Sequence, residues 1–263
     1  MPIERGDKRN GLLGQLLRFV KRHRPELIFV ENVPGIHDGS HLNWEFSRFR
    51  QAIEKLKYSV DCKVILSQDY GIPQRRKRLI LIASRIGLIE FPRKTHVPAT
   101  ASPEYASVRQ WIGDLPPIAA GQEHLEVQNH RAALLSPLNL YRIRSTPEGG
   151  GWKDWPEDLR PACHRGDFTG YTDVYGRMKW DSPASGLTTR CISYSNGRFG
   201  HQSQHRAISV REAASLQTFP LDFTFTGNLN SMAKQVGNAV PVLLAKHFGD
   251  NFQEHVARTF QTT

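Results

Sequence analysis

The sequence is poor in cysteine and has no long apolar runs. Among its 263 residues only three are cysteine, at positions 62, 163 and 191. Their odd number and wide spacing argue against a disulfide framework and against a zinc site, and we predict no metal site. No run approaches the ~20 apolar residues that a membrane-spanning helix needs. The chain is therefore expected to be a cytoplasmic protein with no membrane partner.

Acidic residues are also in deficit. The chain has 25 Asp and Glu against 35 Lys and Arg, which gives a formal net charge of +10. Such a balance favours an anionic partner, with nucleic acid first, although many basic proteins have no such partner. Hydrophobic residues make up 39% of the chain, which is enough for a buried core.

The spacing of apolar residues predicts the order of elements in the first ninety residues. The first is a helix from Leu12 to about Val20 that ends before Pro25, and a strand over 26–31 follows it. Next come a helix capped by Asn43 and two strands, over roughly 60–67 and 79–84. The second helix should bury Phe46, Phe49, Ile53 and Leu56. The order predicts an α/β sheet, and the short link between the last two strands favours antiparallel pairing.

The remainder of the chain is less regular. Residues 93–185 lack clear periodicity, with Gly149–Gly151 the most flexible-looking point, and indicate a small irregular domain. Ser209 and Glu212 form a capping box that opens a helix. A four-residue repeat of Leu and Phe from Leu244 to Phe260 predicts a C-terminal helix. We therefore predict a catalytic-core segment over 1–94, an irregular domain over 95–185, and a segment over 186–263 that supports it and returns to the core.

Two short segments in the first ninety residues contain candidate chemical groups. Glu31-Asn32-Val33 lies at the C-terminal end of a predicted strand, where ligands bind in open α/β sheets. A carboxylate there is a candidate acid or base, but for this motif alone a strand-end Glu in a salt bridge or a solvated loop is the more usual explanation. In Gln74–Arg78, strand alternation predicts Arg76 and Arg78 on one face, suited to phosphate and base-edge contacts. A solvated charge run is the usual explanation for such a cluster.

Two further motifs occur late in the chain. Arg211–Pro220 reads as a capped, Ala-rich helix followed by a stop. Gln235–Pro241 contains a Gly-Asn pair that is predicted to open a helix, where free backbone N–H groups hold carboxylates. A plain helix start is the alternative.

In this order and spacing, the four motifs resemble the C-terminal motifs of the cytosine-5 DNA methyltransferases. Asp7–Leu12, Leu187–Thr189 and Gly197–His201 are also similar to segments of that family, and the resemblance extends over almost the whole chain. It implies a partial S-adenosylmethionine-dependent, Rossmann-like methyltransferase sheet and a target-recognition domain over 95–185. It also implies a bacterial or phage-type cytoplasmic enzyme of a restriction-modification system that acts on duplex DNA.

Two expected family motifs are absent from these residues. There is no Phe-x-Gly-x-Gly loop for S-adenosylmethionine, and no cysteine follows a proline, whereas the family's nucleophile lies in a Pro-Cys dipeptide. The chain thus resembles the second half of a methyltransferase. We expect a split enzyme or a fragment that is inactive alone and shares its cofactor site with an N-terminal half on a separate chain. That half should also cover the open edge of strand 26–31.

The resemblance assigns roles to individual residues. Glu31 would stabilise the cytosine ring at N3 and the exocyclic amine, Arg78 would contact O2, and Arg76 would support the pocket or a phosphate. Leu12 and Asn238 correspond to positions near the cofactor. Candidate DNA contacts are Gln74, Arg142, Arg144, Arg165, Arg177, Arg190 and Arg198. The competing hypotheses are a catalytically inactive, sequence-specific DNA-binding protein and a decayed methyltransferase remnant.

Overall fold

The computed structural model describes residues 11–36, 42–96, 104–165, 170 and 172–261. The helices are α1 Leu12–His23, α2 Leu42–Lys55, α3 Val108–Ile112, α4 Pro137–Arg144, α5 Val210–Leu216, α6 Leu229–Asn238 and α7 Val242–Gln261. The strands are β1 Leu27–Asn32, β2 Ser59–Leu66, β3 Gln74–Arg75, β4 Lys77–Ser84 and β5 Ala184–Ser185. None of the described helices is both long and apolar enough to cross a membrane.

Contacts divide the chain into two compact units. The first unit consists of Met1–Leu66, Lys77–Arg93 and Ala245–Thr263, and the second of Ser67–Arg76 and Lys94–Leu244. The sequence predicts roles for three segments, residues 1–94, 95–185 and 186–263. The division into two units does not test these roles, which stay predictions.

The first unit is built on a three-stranded sheet in the order β1-β4-β2. Both pairings are antiparallel, so the prediction that the second and third long strands pair in this way is confirmed. β1 and β2 begin and end within one residue of the predicted bounds, and β4 begins two residues early. Among the described residues β1 has a single neighbouring strand, so one of its edges has no β partner there.

Both faces of this sheet carry apolar side chains. On one face Phe46, Phe49 and Ile53 of α2 join a cluster that includes Leu79 and Leu81 of β4. Alternating side chains of a strand point to opposite sides, so the sheet has a second apolar face. This opposite face packs against α7. There the ring of Phe29 lies 5.2 Å from that of Phe248. The first unit is therefore α/β, with helices on both faces of the sheet.

Two predicted helix ends had different outcomes. α1 stops at His23, as expected before Pro25, and Arg24 closes it in the left-handed conformation with a φ of 47°. The prediction for Asn43 was wrong, since α2 begins at Leu42 and Asn43 therefore lies inside the helix.

The predicted apolar stripe of α7 winds around the helix. Leu244 and Phe248 are buried, whereas Phe260 is 60% exposed. A spacing of four residues advances about 400° around an α-helix of 3.6 residues per turn, so each step rotates the stripe by roughly 40°. The buried face consequently includes His255 in place of a strict four-residue repeat.

The second unit has its own core around α5. The capping box predicted at Ser209 and Glu212 is confirmed, with both of its hydrogen bonds present. The Gly149–Gly151 segment, which the sequence suggests is flexible, is held by hydrogen bonds. The Gly149 N–H donates to the Met178 carbonyl, and Arg198 Nη1 donates to the carbonyls of Gly149 and Gly150. The expectation of flexibility is corrected accordingly.

Candidate functional site

Glu31 and Arg78 form an ion pair in the first unit. Glu31 is near the end of β1 and Arg78 is near the start of β4, and the antiparallel register, with Glu31 opposite Ile80, brings the two ends together. Arg78 Nε donates to Glu31 Oε1 at 2.7 Å, and the two side chains are about one-fifth exposed (18% and 20%). Two motifs 47 residues apart thus meet at one partly open position.

This pair presents hydrogen-bonding groups that suit the polar edge of cytosine. A guanidinium donates only, while an ionised carboxylate accepts and a protonated carboxyl also donates. Cytosine offers acceptors at O2 and N3 and a donor at its exocyclic amine. The pair therefore combines a donor and an acceptor at one partly exposed position.

Arg76 belongs to the second unit and is 4% exposed. Its guanidinium donates to the carbonyls of Leu187, Gly237 and Ala239. The prediction that Arg76 and Arg78 share a strand face is wrong, because Arg76 lies between β3 and β4 and the alternation is interrupted there. Because Arg76 uses its donors in the protein interior, its predicted phosphate contact is corrected, whereas its predicted support of the pocket stays a prediction.

Gln74 is also internal, with no exposed surface. Its amide donates to the Leu216 carbonyl and to Gln217 Oε1, and it accepts from the Leu187 N–H at 2.9 Å. The expected DNA contact of Gln74 is therefore corrected, because both ends of its amide are used inside the second unit.

Gln217 is a structural residue that the sequence reasoning missed. It is fully buried, and its amide nitrogen donates to the Val236 carbonyl at 2.8 Å. Together with Gln74 and Arg76, Gln217 connects four segments of the second unit by hydrogen bonds. These are residues 74–76, 187–189, 216–218 and 237–239. A Cβ on Gly237 would lie 2.2 Å from the Thr188 carbonyl oxygen, so only glycine permits this approach.

The Gly-Asn pair does not open a helix. Gly237 and Asn238 are the last residues of α6, and α7 begins later, at Val242. The N–H groups of Val242 and Leu243 already donate to the Gln217 carbonyl and to Thr218 Oγ1. The predicted anion-binding helix start is therefore wrong at this place.

The two predicted cofactor residues do not form a recognisable cofactor site. Leu12, the first residue of α1, is 62% exposed and belongs to the first unit. Asn238 is exposed and belongs to the second unit. One apolar side chain and one amide do not supply the donors and acceptors that a ribose, an adenine and an amino-acid group require. Leu12 and Asn238 therefore do not by themselves fit S-adenosylmethionine.

Arg177 is an interior cation of the second unit, only 2% exposed. Its guanidinium donates to the carbonyls of Ile143, Thr146, His201 and Gln204. Burial lowers the pKa of Arg177 below its ordinary value. Its predicted DNA contact is corrected, because the protein itself uses these donors.

The other arginine candidates divide into two groups. Arg142 and Arg198 are half-buried and bonded within the second unit, Arg142 to the Leu159 carbonyl and Arg198 to Asp173, so they are not freely available DNA contacts. Arg144, Arg165 and Arg190 are exposed and stay candidates.

A buried charge cluster stabilises the capped helix α5. Arg206 Nη1 and Nη2 each donate to Glu212 at 2.6 Å, and the two residues are at most 1% exposed. Hydrogen bonds and charge from Arg206 hold the pKa of Glu212 below its ordinary value against the opposing effect of burial. Burial lowers the pKa of the adjacent His201 to about 4, so this ring is neutral near pH 7.

Two of the three cysteines, Cys62 and Cys191, do not offer an activated thiol. Cys191 is fully buried, and burial raises its pKa to about 12. Burial also raises the pKa of Cys62, and Cys163 is exposed. A nucleophilic cysteine needs a lowered pKa, which is the opposite of what Cys62 and Cys191 have.

The geometry thus defines an α/β protein with a carboxylate–guanidinium pair at the end of a strand, and comparison with known proteins identifies its family. The family model of the C-5 cytosine-specific DNA methylases matches residues 4–254. Type II methylase M.HgiDII of Herpetosiphon aurantiacus is 42% identical over 240 residues, covering 89% of this chain and 66% of that protein. Type II methyltransferase M1.HphI of Haemophilus parahaemolyticus is 35% identical, covering 91% and 60%. The chain belongs to the C-5 cytosine-specific DNA methylase family.

Solved structures show a similar fold. A DNA modification methyltransferase encoded within a prophage of E. coli matches with a TM-score of 0.70 at 18% identity, covering 94% of this chain and 74% of that one. The Entamoeba histolytica methyltransferase EhMeth matches with a TM-score of 0.55 at 14% identity, covering 95% and 70%. The chain spans between 56% and 66% of the length of the first three curated relatives.

Proposed function

We propose that this chain supplies the cytosine-binding wall and the DNA-recognition part of a DNA (cytosine-5)-methyltransferase. The observation that carries the proposal is the 2.7 Å pair between Glu31 and Arg78. These are the two positions at which the family resemblance places the groups that hold the base. Bacterial relatives with Type II methylase names support action on DNA within a restriction-modification system.

The proposed role of the pair is to stabilise charge in an extruded base. Enzymes that modify a base inside duplex DNA rotate it out of the stack into a pocket. Addition of a thiolate to C6 places negative charge in the cytosine ring. A proton passed from the Glu31 carboxyl to N3 would neutralise that charge, the resulting carboxylate would accept from the exocyclic amine, and Arg78 would donate to O2. Because both side chains are partly shielded from water, their hydrogen bonds to the ring are stronger than in bulk solvent.

The nucleophilic cysteine of this reaction is proposed to come from polypeptide outside these 263 residues. None of Cys62, Cys163 and Cys191 follows a proline, and burial raises the pKa of Cys62 and of Cys191. The single β neighbour of β1 among the described residues supports the same proposal, because the complementing segment would pair with its other edge. That segment would also complete a Rossmann-like sheet and the cofactor site.

The residues of the irregular region are proposed to recognise duplex DNA. Arg144 and Arg165 are exposed there, Arg190 is exposed in the segment that follows, and all three are proposed to contact phosphate or base edges. The major groove distinguishes all four base pairs, so a sequence-reading domain would enter it.

Reconstitution tests the proposal. The chain is mixed with a segment that contains Phe-x-Gly-x-Gly and Pro-Cys, together with duplex DNA and labelled S-adenosylmethionine. Methyl transfer is expected only with both polypeptides. Glu31→Gln should lower turnover by roughly 10²–10⁴-fold, the usual range for general acid–base assistance. Glu54→Gln, which removes an exposed carboxylate paired with Arg50, is the matched control and should leave turnover unchanged. Methylation by the purified chain alone, or full turnover of Glu31→Gln, would contradict the proposal.

The alternative is a DNA-binding protein without catalysis, which the absence of a Pro-Cys dipeptide favours. It predicts salt-sensitive duplex binding and no methyl transfer under either condition. A decayed remnant predicts neither property.

A further inference from the structure

The second unit contains a polar cleft of about 340 Å³ that none of the assigned roles uses. Its lining includes three cations, one carboxylate and two hydroxyl groups, namely Arg75, Lys179, Arg198, Asp173, Ser182 and Ser185. No aromatic ring is among its described lining residues, so the cleft lacks a surface on which a base would stack. Its chemistry is that of a hydrogen-bond donor site for an anion.

Arg75 faces outward because its neighbours face inward. Gln74 and Arg76 are buried, whereas Arg75 is exposed, and alternation within β3 points Gln74 and Arg75 to opposite sides. The parallel pairing of β3 with β5 sets Arg75 beside Ser185. The buried hydrogen bonds of Gln74 therefore hold the backbone from which the Arg75 guanidinium extends.

Lys179 is positioned by the glycine-rich segment. A Cβ on Gly149 would lie 2.3 Å from Lys179 Cε and 2.7 Å from its Cγ, so the aliphatic part of the lysine occupies that space. Gly149 also has a φ of +70°, which disfavours other residues. The segment thus forms a wall along which the lysine side chain lies.

Arg198 holds this wall in place. Its Nη1 donates to the carbonyls of Gly149 and Gly150, and its Nε donates to Asp173 at 3.0 Å. Its charge is therefore already offset within the protein. Throughout the part of the chain that the structure describes, neither Arg75 nor Lys179 makes a side-chain hydrogen bond or ion pair. Two uncompensated cations thus line one concave, hydroxyl-bearing surface.

We propose that Arg75 and Lys179 bind one phosphate of the DNA backbone in this cleft, with Ser182 and Ser185 as additional donors. The inference rests on the proposed function and adds a contact that fixes the position of the duplex. A guanidinium and an ammonium are the preferred partners of phosphate oxygens. Because phosphate contacts are independent of base sequence, this site contributes equally to specific and non-specific DNA.

The experiment is a salt titration of duplex binding by the full chain. The logarithm of affinity falls against the logarithm of salt concentration with a slope of about 0.9 per neutralised phosphate. The double variant Arg75→Gln/Lys179→Gln should therefore reduce that slope by about one. At 0.1 M salt, a change of 0.9 in the slope corresponds to an affinity loss of about eightfold, because 0.1 raised to the power −0.9 is about 8. The loss should be the same on two duplexes of unrelated sequence.

The charge-matched control is Lys21→Gln/Lys55→Gln, which removes two exposed lysines of α1 and α2 and should bind like the parent chain. Urea unfolding midpoints show whether the variants retain the fold, as expected for exposed side chains. If the parent chain binds with a steep salt slope and the cleft variant binds equally well, the cleft proposal is wrong and DNA binding stands. An equal loss in the control would also overturn it, because the effect would then reflect net charge alone. A parent chain with no salt-dependent affinity would overturn the proposed function and the cleft together.

Discussion

Replacing Glu212 with glutamine should destabilise the second unit strongly. Arg206 and Glu212 are at most 1% exposed, and two charge-assisted hydrogen bonds of 2.6 Å join them. Glutamine keeps the shape and can still accept from the Ser209 N–H, so the helix cap largely remains. The change therefore isolates the charge and leaves a buried guanidinium without its counterion.

The expected loss in the free energy of unfolding follows from removing the counterion of Arg206. Breaking a buried ion pair by removing one partner typically costs about 3–5 kcal/mol, because the remaining charge is uncompensated in a poorly polarisable interior. An exposed pair is worth about 0–1 kcal/mol. Asp250→Asn removes the partner of Lys246 in an exposed pair on α7 and is the matched control.

Urea unfolding followed by tryptophan fluorescence measures this difference. Trp111, Trp152, Trp155 and Trp180 lie in the second unit, so the signal reports mainly on the unit that contains Glu212. We expect the free energy of unfolding to fall by about 3–5 kcal/mol for Glu212→Gln and by less than about 1 kcal/mol for Asp250→Asn. A loss below about 1 kcal/mol in Glu212→Gln would show that the buried pair does not stabilise α5 as argued.

Two further predictions concern His201 and the cysteines. Burial lowers the pKa of His201 to about 4, so between pH 6.5 and 4 the unfolded chain binds a proton that the folded chain does not, and stability should decrease as the pH falls through this window. His201→Gln should remove part of that dependence in urea titrations at several pH values, and an unchanged pH profile would refute the assignment. In native protein a thiol reagent should modify exposed Cys163 rapidly and Cys191 only after unfolding, because burial raises the pKa of Cys191 to about 12. Rapid native labelling of Cys191, detected by peptide mass spectrometry, would contradict its placement in the core.

Local patterns predicted most of the regular elements. Helical spacing in α1, apolar runs in the strands and the Ser209–Glu212 capping box are short-range signals, and each predicted element is present. The antiparallel pairing of β2 with β4 also followed from the sequence, because a short link cannot cross over to a parallel strand. The sequence predicted Glu31 and Arg78 as separate motif residues, but it did not predict the contact between them.

Tertiary structure alone decided which polar side chains are internal. The run Gln74–Arg78 looks uniformly polar, yet Gln74 and Arg76 are buried, Arg75 faces the cleft and Arg78 pairs with Glu31. That division depends on carbonyl groups more than a hundred residues away, which no local pattern encodes. Composition and periodicity therefore determined the α/β class and its elements, because helix and strand signals act over a few residues. The use of each charge was set by long-range packing, because an arginine becomes structural only where the folded chain surrounds it with acceptors.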